Sequence, residues 1–223
     1  MKKILVVITL MLSFVMGNDA DRYMNLGFES YKDGNYYESF KYFNKALDIQ
    51  KKVLGKKHPD IAAIYGNIGL IYTELGDYNK ALEYFNKALD IQKQVLGDRH
   101  KETAISYMNI SKIYSYLGDY NKALKYFNQT LDIQKQVLGE RHSDTAISYN
   151  NIGFIYSNLG DYNKALEYYN KALDIQKQIV GDKHPDVAAI YNNIGAIYSN
   201  IGNYNKALDY CNKALDIRKQ VLG

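Results

Sequence analysis

Apolar residues recur along this chain at helical spacing, in blocks closed by glycine. Between Asp60 and Leu75, the residues Ile61, Ile64, Tyr65, Ile68, Ile71 and Tyr72 fall one, three or four apart. That spacing lines one face of an α-helix. Gly76-Asp77 interrupts the block, as glycine past a helix end does when it adopts the left-handed backbone. A second block, Tyr78 to Leu96, carries Ala81, Leu82, Phe85, Ala88, Leu89 and Val95 on one stripe, and Gly97 stops it. Pro59 and Pro185 fall in the first turn of the next helix, where an N–H has no intrahelical partner to lose. Asp60, Asp144 and Asp186 add negative charge near that helix start, where the dipole favours it.

This two-helix block repeats. Gly34, Gly76, Gly118, Gly160 and Gly202 are each 42 residues apart, and so are His58, His100, His142 and His184. The run Gly-Asp-Tyr-Asn-Lys-Ala-Leu at 76–82 recurs at 118–124 and 160–166, and at 202–208 with Asn203 for the aspartate. The pattern predicts an array over 21–223, with units at about 21–55, 60–97, 102–139, 144–181 and 186–223. A single hairpin cannot bury its stripe, so stability must come from stacking. Gly69, Ala81 and Ala88 would let backbones approach while Tyr65, Tyr72 and Phe85 fill the gaps. Cys211, the only cysteine, takes the place of Phe43, Phe85, Phe127 and Tyr169 and is expected in the core. Ser111 for glycine and Ser30 for tyrosine are local departures, expected to loosen packing.

The run Tyr65-x-x-Ile68-Gly69-x-x-Tyr72-x-x-x-Gly76-x-Tyr78-x-x-Ala81-x-x-x-Phe85-x-x-Ala88 resembles the tetratricopeptide signature. The usual period of that signature is about 34 residues. The longer unit here, with His-Pro-Asp before the first helix and a Leu-Gly end, is similar to the repeats of kinesin light chains and related bacterial arrays. The resemblance implies an all-α, right-handed superhelical solenoid of about five helix-turn-helix repeats, with the first helices lining an inner groove. It also implies a non-enzymatic scaffold that binds a protein or peptide.

With Tyr65, Ile68 and Tyr72 turned to the core, the other side of that first helix carries Ala63, Asn67, Leu70 and Glu74. The matching rows are Ile105, Asn109, Lys112 and Tyr116; Ile147, Asn151, Phe154 and Asn158; and Ala189, Asn193, Ala196 and Asn200. Asparagine thus recurs at 25, 67, 109, 151 and 193 while its neighbours change. Each amide offers both a donor and an acceptor to an extended backbone. The kinesin light chain resemblance implies peptide contact at Asn67, Asn109, Asn151 and Asn193, with Asn25 in a variant first unit. Leu70, Lys112, Phe154, Tyr116, Asn158 and Asn200 would sort side chains. The alternative is that the asparagines bond neighbouring helices or loops. Lys112 is the lone cation of these rows, so a bound segment is expected to be neutral or mixed rather than an acidic tail.

The first twenty residues differ from the rest. Lys2-Lys3 precedes Ile4 to Met16, apolar apart from Thr9 and Ser13, and Gly17 to Ala20 follow. That order fits a secretory leader over 1–20, the alternative being an uncleaved N-terminal anchor, which alone would bring a membrane into the account. The expected location is periplasmic or secreted. The formal charge is +4, and losing Lys2 and Lys3 leaves 4 − 2 = +2, too small a balance to mark a nucleic-acid footprint. Histidines one repeat apart would be roughly 10 Å from each other, whereas metal–nitrogen bonds are about 2 Å. They are therefore expected at helix starts or in loops. The lysines at 80, 122, 164 and 206 are expected on a solvated outer surface. No phosphate loop, nucleophile elbow or His-Glu-x-x-His run is present, and no cofactor is expected. Leu208, Tyr210 and Leu215 do not form the polar outer face a terminal repeat usually has, so pairing with another copy or a continuing chain is the second expectation.

Overall fold

The computed structural model describes residues 19–222, with side chains through Gln220. The expected leader lies outside the described residues except for Asp19 and Ala20, which are already helical. All regular structure among the described residues is helical. Helix α1 covers residues 19–32, and α2 (Tyr36–Leu54), α3 (Pro59–Glu74), α4 (Tyr78–Val95) and α5 (Lys101–Tyr116) follow. Then come α6 (Tyr120–Val137), α7 (Ser143–Asn158), α8 (Tyr162–Val180), α9 (Pro185–Asn200) and α10 (Tyr204–Leu222). The apolar blocks read from the sequence match α3 and α4 to within one residue at each end.

The chain divides into two compact units, residues 1–113 and 114–223. In the first, α3 packs on α4 and α2 on α3. Phe43, Leu47, Ile61, Ile64, Ile68 and Ile71 form the core, and Tyr23, Tyr65, Tyr72 and Tyr84 are half-buried around it. In the second, α7 packs on α8 and α9 on α10, while α6·α7 and α8·α9 contacts join successive hairpins. Phe127, Ile152, Ile155, Tyr169, Ile194 and Ile197 are buried there. Small residues permit this approach: a Cβ on Gly69 would lie 2.7 Å from the Phe85 ring.

Each turn within a hairpin closes in the same way. Gly76 has φ +73°, the Leu75 N–H donates to Ile71 O, and the Asp77 N–H reaches back to Tyr72 O at 2.9 Å. This is the left-handed helix stop the glycines predicted. Asp77 then caps α4 by accepting the Lys80 N–H, and Asp119 and Asp161 do the same for α6 and α8. The lysines behind these caps are less independent than expected. Lys80, Lys122 and Lys164 pair with their cap aspartates at 2.8–3.0 Å. Their ammonium groups also sit 5.0–5.1 Å from the ring centroids of Tyr72, Tyr114 and Tyr156. The sequence showed the charges but not the rings beneath them.

Histidine has a defined place too. Nδ1 of His58, His100, His142 and His184 accepts the backbone N–H two residues on, at 3.1–3.2 Å.

The buried-cysteine expectation is corrected: Cys211 is exposed. Its Sγ faces Gly195, 3.2 Å from where a Cβ would be, so the register is as read. A thiol is smaller than the rings at 43, 85, 127 and 169, and among the described residues no helix follows α10 to cover its other side. Leu208 and Leu215 are exposed on the same helix, at 63% and 46%. Ser111 is fully buried, and its hydroxyl donates to Met108 O at 2.7 Å.

Candidate functional site

The four-three-four spacing on each first helix leaves one row of side chains that the second helices do not cover. In the first unit, Ala63, Leu70, Glu74, Ile105 and Lys112 are exposed, and Asn67 and Asn109 are half-buried between them. Asn67 and Leu70 join Phe28, Tyr31 and Phe43 around a pocket of about 80 Å³. The Tyr31 hydroxyl donates to Glu74 Oε1 at 3.2 Å. Burial, then the Glu74 carboxylate, pushes the Tyr31 phenol up to about 12. Glu74 is thus tied to the preceding hairpin.

In the second unit, Tyr116, Ile147, Phe154, Asn158, Ala189, Ala196 and Asn200 are exposed, and Asn151 and Asn193 are half-buried. The asparagines of the column are not equivalent. Asn193 Nδ2 donates to Asn150 Oδ1 at 2.9 Å, a helix-to-helix bond of the kind the structural alternative foresaw. Asn151 Nδ2 is buried with no partner. Asn158 Nδ2 donates to Phe154 O at 2.8 Å, and its Oδ1 accepts the Tyr120 hydroxyl at 3.4 Å. The structure therefore brings Leu70 and Asn67 together in one unit and Phe154 and Asn158 together in the other, while Asn193 meets Asn150 instead.

One group of residues escaped the sequence reading. Ser106 Oγ donates to Gln92 Oε1 and Ser148 Oγ to Gln134 Oε1, both at 2.6 Å and both buried. At the next position of the series Gln176 remains, but Ile190 replaces the serine. The Gln176 amide instead donates to Asp186 Oδ2 at 3.0 Å, leaving its Oε1 buried and unpartnered. The signal was present in the alternation of Thr-Ala-Ile-Ser (103–106, 145–148) with Ile-Ala-Ala-Ile (61–64) and Val-Ala-Ala-Ile (187–190).

No group of three or more potential metal ligands occurs among the described residues, and none of the helices searched there is long and apolar enough to cross a membrane.

Comparison with known proteins agrees with this architecture. A family model described as a tetratricopeptide repeat matches residues 20–94, 60–136 and 144–220. The chain is similar to BtubC (BKLC) from P. vanneervenii, at 23% identity and TM-score 0.80, covering 95% of this chain and 91% of that one. It is also similar to a putative kinesin light chain with nearly identical TPR-like repeats from Podosopora anserina, at 20% identity and TM-score 0.76 over 90% and 95% of the two chains. A Rap protein complexed with competence and sporulation factor matches at 18% identity and TM-score 0.71, over 89% of this chain and 54% of that chain. No curated protein matches by sequence.

Proposed function

Because the chain belongs to the tetratricopeptide repeat family, a fold that generally serves as a binding scaffold, we propose that it holds an extended segment of a partner protein against its first helices. One observation carries this reading. In each unit the uncovered row keeps large apolar side chains in solvent: Leu70 at 37% and Ile105 at 49% in the first, and Tyr116 at 59%, Ile147 at 42% and Phe154 at 51% in the second. Clustered apolar exposure beside placed polar groups marks interaction surfaces. The half-buried amides of Asn67, Asn109 and Asn151 supply those polar groups. The complex of a Rap protein with competence and sporulation factor supports the binding of a partner as a use of this fold.

The test is to select peptides on the full chain from a display library and to measure the best one against Asn109→Ala and Asn151→Ala. Binding lost with thermal unfolding unchanged supports the reading. Binding retained in both variants sinks it. The leader-like residues 1–20 support placing this activity outside the cytoplasm, in the periplasm or medium. N-terminal sequencing of the mature protein from an envelope fraction checks that.

A second reading, self-association, rests on the exposed α10 side chains Tyr204 (71%), Leu208 and Leu215. Light scattering of the full chain at rising concentration decides it, since a constant monomer mass rules it out.

A further inference from the structure

The last helix among the described residues, α10, exposes a stripe that its counterparts in the second unit keep covered. In α6 the residues Tyr120, Leu124, Phe127, Leu131 and Gln134 fall four, three, four and three apart, as do Tyr162, Leu166, Tyr169, Leu173 and Gln176 in α8. In both helices the first two are half-buried and the last three buried, because α7 and α9 lie on them. The matching residues of α10 are Tyr204, Leu208, Cys211, Leu215 and Arg218, and all five are exposed. Two of them break the pattern. Cys211 is smaller than the rings at that position, and Arg218 puts a charge where Gln134 and Gln176 are buried. A further hairpin of this kind would bury that guanidinium, at a cost that only a matched acid offsets. The stripe suits a different cover.

We propose that this cover is the α10 of a second copy, antiparallel to the first about a two-fold axis at Cys211. The proposal deepens the self-association reading above by fixing its symmetry and register. Alternating steps of three and four residues are the repeat of a two-helix seam. The stripe also reads nearly the same from either end. Leu208 and Leu215 flank Cys211, with Tyr204 and Arg218 seven residues to each side. Antiparallel pairing sets Leu208 against Leu215 of the second copy and Cys211 against its own counterpart. Arg218 then meets Tyr204 of the second copy, a cation over an aromatic ring. The charges agree, since Asp209 falls level with Lys213 and Asp216 with Lys206 of the second copy. Parallel pairing would instead set Arg218 level with its own counterpart. Stacking α10 on α1 fits worse. Where α3 carries Ile61, Ile64 and Ile71 in a core shared with Phe43 and Leu47 of α2, α1 carries Asp19, Arg22 and Glu29, all exposed. Five side chains from each copy fall short of the roughly 20–30 residues a side of a standard interface. The dimer is therefore transient, and Cys211 stays accessible at the low concentration of a thiol assay.

Disulfide trapping in the full chain tests this pairing, because Cys211 is its only cysteine. Diamide serves as oxidant, taking up the two electrons and two protons that leave a pair of thiols. The native chain should form the Cys211 dimer about tenfold faster than Leu208→Glu, a variant at an exposed site. Direction is read by moving the thiol in a Cys211→Ser background. Leu208 lies about 9 Å along the seam from its own counterpart, beyond the reach of a disulfide. Leu208→Cys chains should therefore join Leu215→Cys chains and rarely one another. Equal rates in the native chain and Leu208→Glu overturn the proposal, as do Leu208→Cys chains that join their own kind. If light scattering then still shows a mass that rises with concentration, self-association stands and only this pairing falls.

Discussion

Asn193 donates its side-chain amide to Asn150 at 2.9 Å, joining α9 to α7 one hairpin back. A repeated residue here makes different contacts, because the neighbour it meets differs from one unit to the next. Asn150 is itself a variable position, held by Met24, Gly66, Met108 and Asn192 in the other units.

That bond predicts coupling. Asn150→Ala and Asn193→Ala should each lower stability by about 1 kcal/mol, the worth of a partly buried neutral hydrogen bond. The double variant should cost less than the sum of the two. Urea unfolding of the four proteins measures it, and strict additivity would show the bond to be idle.

Glycines in the first helices separate by their surroundings. A Cβ on Gly69 would meet the Phe85 ring at 2.7 Å, and one on Gly66 would meet nothing within 4 Å. Gly69→Ala should therefore destabilise by about 1–3 kcal/mol through overpacking. Gly66→Ala should stabilise by up to about 1 kcal/mol through helix propensity. Thermal unfolding of the two variants checks the opposite signs.

The buried Ser–Gln pairs give a third contrast. Ser148→Ala leaves Gln134 Oε1 buried without a donor and should cost about 1–3 kcal/mol. Gln176→Leu removes an oxygen that already lacks one together with the amide's bond to the solvent-exposed Asp186, so it should cost less than Ser148→Ala, at most about 1 kcal/mol. Denaturant midpoints that rank the two the other way would contradict the arrangement described.

Acid sensitivity should come partly from the hairpin caps. Hydrogen bonds from Lys80, Lys122 and Lys164 hold the carboxyls of Asp77, Asp119 and Asp161 below their ordinary 3.8. A carboxyl lowered in the folded state contributes stability above its unfolded value and loses it as pH falls through the folded one. The thermal midpoint should therefore drop as pH falls below about 4. Replacing all three by asparagine, the residue α10 already uses at Asn203, should flatten that part of the profile. A melting series from pH 6 to 2 compares them.

Cys211 offers a direct check on its corrected position. In the native chain it should react with a thiol reagent such as DTNB at nearly the rate seen in denaturant, because the group is exposed. Strong protection would restore the buried assignment.

Much of this molecule could be read before any coordinates. Helix bounds, the left-handed glycines, the histidine positions and the outward row from Ala63 to Glu74 follow from local rules, because a helix fixes which residues share a face and a glycine is needed wherever φ turns positive. The repeat multiplied each of these signals, and so made the helical-hairpin array and its family legible. What a side chain meets across the gap between helices is a different matter. It depends on residues about 14 or 43 positions away, so Asn193 with Asn150, Tyr31 with Glu74, and Ser148 with Gln134 emerged only when the hairpins were packed. The same distance explains Cys211: its register was right, but burial is set by the element lying on the far side, and local sequence says nothing about that. Local pattern decided the helices and their faces. Tertiary contact decided which polar groups meet one another, because hydrogen bonds and burial belong to pairs of elements rather than to either one alone.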